Sequence, residues 1–333
     1  MKHSAILKTA MAVTLLTAGA CAADEPTADE TTVYKVAVVK QLDHASLDEI
    51  AIAVTDEFDA LAEENGITIE YTVYSGQNDQ SVLQQIASQA LADGVDAIIP
   101  IATLAAQTMT AAAADSGTPV IFAAVSDPAS AELTDISYVT GTSDALNTAQ
   151  IMDMIFTADP YANTIGLLYS KSETNSLMPI EEAKTYLDGK GIDYVEVTGN
   201  TNDEIIQAAS SLIAADVDAV FTPTDNVVMA AELAIAGTFA EAGIPHYAGA
   251  DSFVRNGAFA TCGVNYTELG KTTADIAFKA VSEGIDATGT AGSFEVMPGG
   301  IITVNTETAD ALGADPSVFA SFGEVVEVVT SED

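Results

Sequence analysis

Basic residues are scarce in this sequence, and tryptophan is absent. The 333 residues include only 10 lysines and arginines against 49 aspartates and glutamates, which gives a formal net charge of -39 at pH 7. A field of that sign repels the phosphate backbone of nucleic acids, so we expect no nucleic-acid partner. A solvated surface that keeps the protein soluble accounts for the acidity, and a salt-rich habitat is a second explanation.

Signatures of catalysis are also missing. The three histidines are scattered, and no Gly-x-Ser-x-Gly, paired-cysteine or His-Glu-x-x-His motif occurs. We therefore predict no metal site, no cofactor and no enzymatic activity. Gly270-Lys271-Thr272 matches the end of a phosphate-binding loop, but Asn265 stands where the first glycine is needed, which favours a plain helix. A carboxylate pair drawn from Asp127, Asp225 and Asp251 keeps a secreted hydrolase as one alternative.

Only two cysteines occur, Cys21 and Cys262. Lysines, a short apolar stretch and small residues precede Cys21 in the arrangement of a bacterial secretory signal, so we predict a signal peptide at residues 1–20 and lipidation of Cys21. The alternative is cleavage nearby, with Cys21 lost or left as a free thiol. Residues 21–32 are acidic and poor in large apolar side chains, as expected of a flexible tether.

The remainder of the chain has the composition of a globular protein. No later stretch approaches the roughly 20 apolar residues that a membrane helix needs. At 333 residues the chain can bury a large core, and its length favours about two domains. The sequence therefore predicts an extracytoplasmic protein that contacts the cell membrane only through a lipid anchor.

Residues 119–128 combine features of core and loop. Their apolar run predicts a parallel strand that is covered on both faces, and Ser126 and Asp127 end it abruptly. Similar strands alternate with helices along the chain, beginning with a strand at 34–39 and a helix at 47–64 with Ser46 as an acceptable N-cap. This alternation predicts an α/β fold with parallel sheets between layers of helices.

The chain also contains an internal repeat. The pattern Val-Asp-Ala-Ile-Ile-Pro at 95–100 returns as Val-Asp-Ala-Val-Phe-Thr at 217–222. Each copy follows a helix that an aspartate is expected to cap, Asp79 in the first half and Asp203 in the second. Because this unit is too long for a solenoid repeat, it predicts two doubly wound lobes of like topology.

The boundaries of these lobes follow from where the pattern restarts. We place the first lobe at residues 33–139 together with about 265–285, and the second at 140–264 together with about 286–325. An acidic tail is expected at 326–333.

Polar residues follow the predicted strands at corresponding places in both halves. Ligands of open parallel sheets bind outside the carboxyl ends of the strands, and helix N-termini at these ends favour anions. Hydroxyls and backbone N–H groups there suit a carboxylate, and a desolvated aspartate suits an ammonium group. The alternative is that residues such as Ser46, Ser126, Asn226 and Asp251 only cap helices and that His44 is a surface or capping residue. The candidate ligand-binding residues are His44, Ser46, Leu47, Ala102, Thr103, Ser126, Asp127, Ser172, Asn175, Ser176, Thr224, Asp225, Asn226 and Asp251.

Six segments at these strand ends resemble a known family, the solute-binding proteins of ABC importers related to the tryptophan- and tyrosine-binding type. The resemblance extends over about residues 33–312. Two departures concern the ligand more than the class, because Ala45 replaces a usual proline and Ala250 stands where serine is frequent. The segments are Asp43-His44-Ala45-Ser46-Leu47-Asp48, Ile101-Ala102-Thr103, Phe122-Ala123-Ala124-Val125-Ser126-Asp127-Pro128, Val139-Thr140-Gly141-Thr142-Ser143-Asp144, Ser172-Glu173-Thr174-Asn175-Ser176 and Pro223-Thr224-Asp225-Asn226.

The resemblance implies a type I periplasmic-binding-protein fold, in which a three-segment hinge joins two lobes around the ligand. It also implies an amino-acid-like ligand, often aromatic, and an ABC permease and its ATPase as partners of a monomeric binding protein. We expect Asp225 to pair with the ligand ammonium, and Thr103 and several serines to hold its carboxylate. A sugar or nucleoside ligand, or a role as a sensor that presents its ligand to a membrane receptor, are the alternatives that keep this fold.

Overall fold

The computed structural model describes residues 32–331. The predicted signal peptide, Cys21, almost all of the predicted tether and the last two residues of the predicted tail lie outside the described residues. Two sheets dominate the described part of the chain.

The first sheet has six parallel strands, since every neighbouring pair runs in the same direction. Its central strands read as continuous apolar runs because helices cover both faces. Val38 and Ile99 pack on one face and Val39 and Ile98 on the other, and all four are fully buried. In spatial order the strands are β11 (Glu295–Val296), β5 (Val139–Ser143), β4 (Val120–Phe122), β3 (Ala97–Ile101), β1 (Val33–Lys40) and β2 (Thr68–Ser75).

The second sheet has seven strands and repeats this plan. All its neighbouring strands are parallel except one antiparallel pair near the edge, β10 with β12. In spatial order they are β13 (Val325–Val328), β12 (Ile301–Asn305), β10 (Ala260–Gly263), β9 (His246–Ala248), β8 (Ala219–Thr222), β6 (Thr164–Tyr169) and β7 (Asp193–Thr198).

The order of strands confirms the internal repeat. The series β2-β1-β3-β4-β5 in the first sheet has its counterpart β7-β6-β8-β9-β10 in the second, and the repeated sequence pattern lies on β3 and β8. Both sheets therefore reverse their strand order beside the first strand of the unit, where doubly wound folds place their ligands. The predicted fold class, two doubly wound and mainly parallel sheets, is correct.

Helices connect the strands of each sheet. Two of the predicted N-caps differ from the observed ones: His44 precedes the first helix in place of Ser46, and Thr201 caps the sixth helix in place of Asp203. Asp79 caps the second helix as predicted, by accepting from two backbone N–H groups. The helices are α1 (Ala45–Asn65), α2 (Gln80–Ala92), α3 (Thr103–Ala113), α4 (Thr148–Ala158), α5 (Thr174–Lys190), α6 (Asn202–Ala214), α7 (Asn226–Glu241), α8 (Asp251–Arg255), α9 (Tyr266–Glu283) and α10 (Thr306–Leu312), with 3-10 turns at Ile285–Thr288 and Pro316–Ser321.

Residues 119–128 form a shorter strand than predicted. Only β4 pairs as a strand, and a single bridge between Ile101 and Ala123 extends it. Ala124 has a φ of 54°, in the left-handed region, which ends the extended backbone before Ser126. The strand-to-loop transition therefore begins inside the apolar run, where composition gives no sign of it.

Gly270 has a packing role in the helix α9. A Cβ added at this position would lie 2.6 Å from the Cβ of Ala53 and 2.8 Å from the carbonyl oxygen of Ile50, both in α1. Glycine therefore lets α9 approach α1 closely, and the plain-helix interpretation of this segment is correct.

The chain passes between the sheets three times, at 144–147, 264–265 and 297–300. Because β11 still pairs with the first sheet, the last passage comes later than the predicted boundary near residue 286, and the exact lobe boundaries stay predictions. The segment 326–328, predicted as part of an acidic tail, belongs to β13. Within residues 32–331, no helix has the length and apolar character to cross a membrane.

Candidate functional site

Loops at the carboxyl ends of both sheets enclose a cavity with about 380 Å³ of empty space. Its wall contains no lysine or arginine. The lining residues are His44, Ser46, Leu47, Ala102, Thr103, Ala124, Ser126, Asp144, Asn175, Thr224, Asp225, Asn226, Met229, Ala250, Ser252, Phe253 and Tyr266.

Most of the residues predicted from the sequence come together in this wall. Both halves of the repeat contribute to it, as the facing strand ends require. The predicted residues that line the cavity are His44, Ser46, Leu47, Ala102, Thr103, Ser126, Asn175, Thr224, Asp225 and Asn226; those that do not are Asp127, Ser172, Ser176 and Asp251.

Three of the four outlying residues have partners elsewhere. Asp127 caps the turn that follows it, with Oδ1 accepting from the backbone N–H of Ser130 at 3.0 Å. Ser172 is exposed, and its hydroxyl lies 2.7 Å from that of Ser170. Asp251 lies 3.1 Å from the guanidinium of Arg255, which also contacts Glu49 on α1. These contacts involve one oxygen each of Asp127 and Asp251, and Oδ2 of Asp127 and Oδ1 of Asp251 are buried without a partner.

Asp225 stabilises the second half of the site from within. Its Oδ1 accepts from the backbone N–H groups of Val227 and Val228, at the start of α7, and its Oδ2 accepts from Ser170 N–H and from the hydroxyl of Ser176, both at 2.7 Å. The side chain is fully buried, and burial raises the pKa of Asp225 although these four bonds lower it. Four protein donors leave no acceptor position for a ligand ammonium group, so the expected role of Asp225 does not fit its surroundings.

Asp144 is a cavity carboxylate that the predicted site omits. It follows β5, and its Oδ1 and Oδ2 accept from the hydroxyls of Ser126 at 2.8 Å and Tyr266 at 3.1 Å. Burial raises the pKa of Asp144, while these two hydroxyls lower it. The sequence offered a signal, since Asp144 ends one of the strand-end segments on which the family resemblance depends.

The N-terminus of α3 faces the cavity, and its own N-cap residue supplies no capping side chain. Its N-cap, Ala102, has φ 75° and ψ 164°, a conformation that is nearly restricted to glycine. Gln41 accepts from the backbone N–H of Leu104 at 3.0 Å, and Thr103 lines the cavity beside it. His44 likewise gives α1 no side-chain cap, and the hydroxyl of Ser46 is buried without a partner. Such helix starts favour a negative group.

An apolar part of the wall lies around His44. Leu47 follows it by one turn on α1, and Met229 follows Asn226 by one turn on α7, while Nε2 of His44 lies 3.0 Å from Oδ1 of Asn226. Phe253 is a further apolar residue of the cavity wall. Met229 and Phe253 lie inside helices and not at strand ends, which is why a search of the exit loops misses them.

Direct polar contacts join the two halves. The hydroxyls of Ser126 and Thr224 are 2.9 Å apart, and Nε2 of Gln41 donates to Oε1 of Glu173 at 3.0 Å. Burial, together with the charge of Asp225, raises the pKa of Glu173 to about 7. These contacts hold the halves together around the cavity. Among residues 32–331, no three His, Cys, Asp or Glu side chains converge as metal ligands.

Comparison with known proteins agrees with this geometry. Residues 35–316 match the family model described as ABC transporter substrate binding protein. The tyrosine-binding protein of Clostridioides difficile is 30% identical over 249 residues, which make up 73% of this chain and 71% of that relative.

Two solved structures resemble the chain over most of its length. The complex of a Streptococcus pneumoniae ABC domain with L-Trp has a TM-score of 0.79 at 28% identity, covering 89% of this chain and 100% of the other. The ligand-free, open structure of a Clostridium difficile substrate-binding protein with adhesive properties has a TM-score of 0.67 at 29% identity, covering 90% and 100%. At nearly equal identity, the chain superposes better on the ligand-bound protein, in keeping with its direct contacts between the halves.

Proposed function

The chain belongs to the ABC transporter substrate-binding proteins, and from that premise we propose that it captures a small α-amino acid outside the membrane and delivers it to an ABC importer. The binding protein acts as a monomer, and its partners are the permease and its ATPase. The relatives that bind tyrosine and L-Trp support an aromatic side chain for the ligand.

One observation carries the choice of ligand class, the buried carboxylate of Asp144. The side chain is only 5% exposed and receives two hydroxyl hydrogen bonds. No lysine or arginine lines the cavity, and burial lowers the pKa of His44, so that its ring is neutral. A buried charge without a partner is unfavourable, and a ligand ammonium group supplies the missing cation.

The ligand carboxylate needs hydrogen-bond donors and a positive field. The starts of α3 and α1 in the first half offer both, because their N-cap residues give no side-chain cap. Thr103 and Ser46 offer hydroxyls there, although Gln41 takes the N–H of Leu104 at the start of α3. Asp225 occupies the corresponding donors of α7, so this helix start is closed to an anion. The carboxylate of the zwitterion therefore binds at the helix starts of the first half, and its ammonium group binds Asp144.

The competing ligands lack this match of charges. A sugar or nucleoside would find aromatic rings in Phe253 and Tyr266, but it would leave the carboxylate of Asp144 without a cation. A sensor that presents an amino acid to a receptor would use the same cavity. Genes for a permease and an ATPase beside this one would favour transport.

Calorimetry with the amino acids tests the proposal. A thermal-shift screen first identifies the ligand, because a ligand at a hundredfold excess over Kd stabilises the folded state by ~2.7 kcal/mol. Asp144→Asn should then weaken binding by about 2–5 kcal/mol, since the ammonium group loses its buried partner.

The matched control is Asp127→Asn, which changes the same chemical group nearby but outside the cavity wall. It should bind the ligand with wild-type affinity. Wild-type affinity in Asp144→Asn, or a response only to sugars or nucleosides, would contradict the proposal.

The membrane anchor has a separate test. We propose that Cys21 is acylated after removal of residues 1–20. A fatty-acid label should enter the wild-type protein, and Cys21→Ser should move it from the membrane fraction to the medium. Labelling that persists in this variant would exclude Cys21 as the site.

A further inference from the structure

Polar side chains from both halves form a continuous chain of hydrogen bonds that ends on His44. The chain begins at Gln41, passes to Glu173 in the second half, continues to Asn226 and returns to His44 in the first half. Its two ends therefore lie in the first half of the molecule and its middle in the second. One donor of fixed direction determines which atoms of these four side chains donate and which accept.

The fixed donor is the backbone N–H of Leu104, which cannot accept. It donates to Oε1 of Gln41 at 3.0 Å, so Nε2 of Gln41 carries the two hydrogens of the amide. One of them goes to Oδ1 of Asn78 at 2.9 Å and the other to Oε1 of Glu173 at 3.0 Å. The orientation of the first amide is thus set by the main chain.

At pH values well above 7 the carboxyl group of Glu173 is ionised, and it then sets the second amide. A carboxylate only accepts, so Asn226 must direct its Nδ2 to Oε2 of Glu173, at 2.7 Å. Oδ1 of Asn226 then faces Nε2 of His44 at 3.0 Å. Because an amide oxygen only accepts, Nε2 must carry the proton of the neutral imidazole ring.

The remaining ring nitrogen, Nδ1, is then an acceptor. It is buried and has no hydrogen-bond partner in the protein, although His44 lines the cavity. The cavity wall also contains the apolar side chains of Leu47 and Met229, which lie one helical turn along from His44 and from its partner Asn226. A buried acceptor without a partner is costly, so binding is favoured when the ligand supplies a donor at this place.

We propose that Gln41, Glu173 and Asn226 fix the tautomer of His44, and that Nδ1 of His44 selects amino acids whose side chain carries a hydrogen-bond donor, such as an indole N–H. This inference rests on the proposed function, because it assigns the apolar part of the wall to the ligand side chain. His44 is the residue that contacts the ligand, and the other three are positioning residues.

Glu173→Gln is the decisive variant because it keeps the shape of the side chain and reverses the chain of hydrogen bonds. Gln41 still presents its hydrogens, so the new side chain must accept from Gln41 with its oxygen and donate to Asn226 with its nitrogen. Asn226 then turns its amide and donates to Nε2 of His44. The proton moves to Nδ1, which becomes a donor.

Two ligands of similar shape report whether Nδ1 of His44 accepts a hydrogen bond. They are tryptophan and its benzothiophene analogue, in which sulfur replaces the indole N–H. At pH 8.5, where Glu173 is ionised, wild type should bind tryptophan at least about tenfold more tightly than the analogue. In Glu173→Gln the preference should fall to about equal affinity. Equal affinities in wild type, or an unchanged preference in the variant, would overturn the inference.

Nitrogen NMR of histidine in the protein saturated with the analogue reads the tautomer directly. We expect the proton of His44 on Nε2 in wild type and on Nδ1 in Glu173→Gln, and a wild-type proton on Nδ1 would overturn the inference even if the variant does not fold. Glu232→Gln is the matched control, because Glu232 is an equally buried glutamate that contacts His246, away from the cavity wall. It should change neither the tautomer of His44 nor the preference for tryptophan.

The binding experiments distinguish failure of the proposed function from failure of the selection by His44. If no amino acid binds, the ligand class is wrong and neither ligand of the pair gives heat. If alanine or leucine binds but tryptophan does not, the amino-acid function stands and the selection by His44 is refuted.

Discussion

The helices α3 and α7 follow equivalent strands of the internal repeat, yet they begin in opposite ways. The N-cap of α7 is Asp225, whose carboxylate accepts from two backbone N–H groups of the helix. The N-cap of α3 is Ala102, which has no side chain to offer and holds a φ of 75°. The start of α7 is capped by its own N-cap side chain, whereas at the start of α3 the side-chain acceptor is Gln41, which takes the N–H of Leu104.

This difference assigns separate tasks to the two halves. In the second half, Asp225 satisfies the start of α7 and also binds Ser170 of the loop after β6 and Ser176 of α5. The first half keeps a positive helix end available, and its conformation is strained where the ligand is expected. Strain of this kind is retained where function requires a fixed geometry.

The largest loss of stability should come from removing the side chain that caps α7. Asp225→Ala leaves four buried donors without their acceptor, so we expect the free energy of unfolding to fall by at least about 3 kcal/mol. Thr103→Ala, at the start of α3, should cost no more than about 1 kcal/mol. Urea unfolding of both variants without ligand measures the difference. Equal losses would show that the two helix starts are not stabilised differently.

The second effect concerns pH and the pair Glu173–Asp225. The pKa of Glu173 is raised by burial and by the charge of Asp225 to about 7, from an ordinary 4.5. The folded state thus binds more protons than the unfolded state between these values, and stability from this group is present below pH 4.5 and is lost as pH rises through about 7.

We therefore expect the unfolding free energy of wild type to fall, on the order of 2 kcal/mol, between pH 5 and 8 relative to that of Glu173→Gln. Gln41 and Asn226, which bond to this carboxyl group, oppose part of the shift. Denaturant titrations across this range provide the test. A difference that grows in favour of wild type with rising pH would have the wrong sign.

The sequence was sufficient to predict the two doubly wound sheets, because buried parallel strands are continuous apolar runs and the repeat at 95–100 and 217–222 marks their equivalence. It also led to most of the cavity wall, since polar residues at strand ends converge in such folds. Strand β4 was predicted too long because the left-handed turn at Ala124 has no signal in composition.

The roles of individual carboxylates could not be predicted in the same way. Whether an aspartate pairs with a ligand or caps a helix depends on which donors surround it, and this is a property of three-dimensional contacts. Asp225 and Asp144 both follow strands, but four donors surround the first and two the second. Phe253 and Tyr266 reached the wall from helices that the strand-end argument did not include.

The smallest effect tests the strain at the start of α3. Ala102→Gly should raise the free energy of unfolding by about 1 kcal/mol, because glycine adopts the observed backbone angles without the penalty that alanine meets. Ala250→Gly is the matched control, since Ala250 is equally buried, lies before α8 on the same cavity and has an ordinary extended φ of -142°. It should lose about 0.5–1 kcal/mol, as glycine only adds freedom to the unfolded chain there. Thermal unfolding without ligand compares the two variants, and a loss of stability in both would mean that Ala102 is not strained and that the contrast with α7 rests on the missing cap alone.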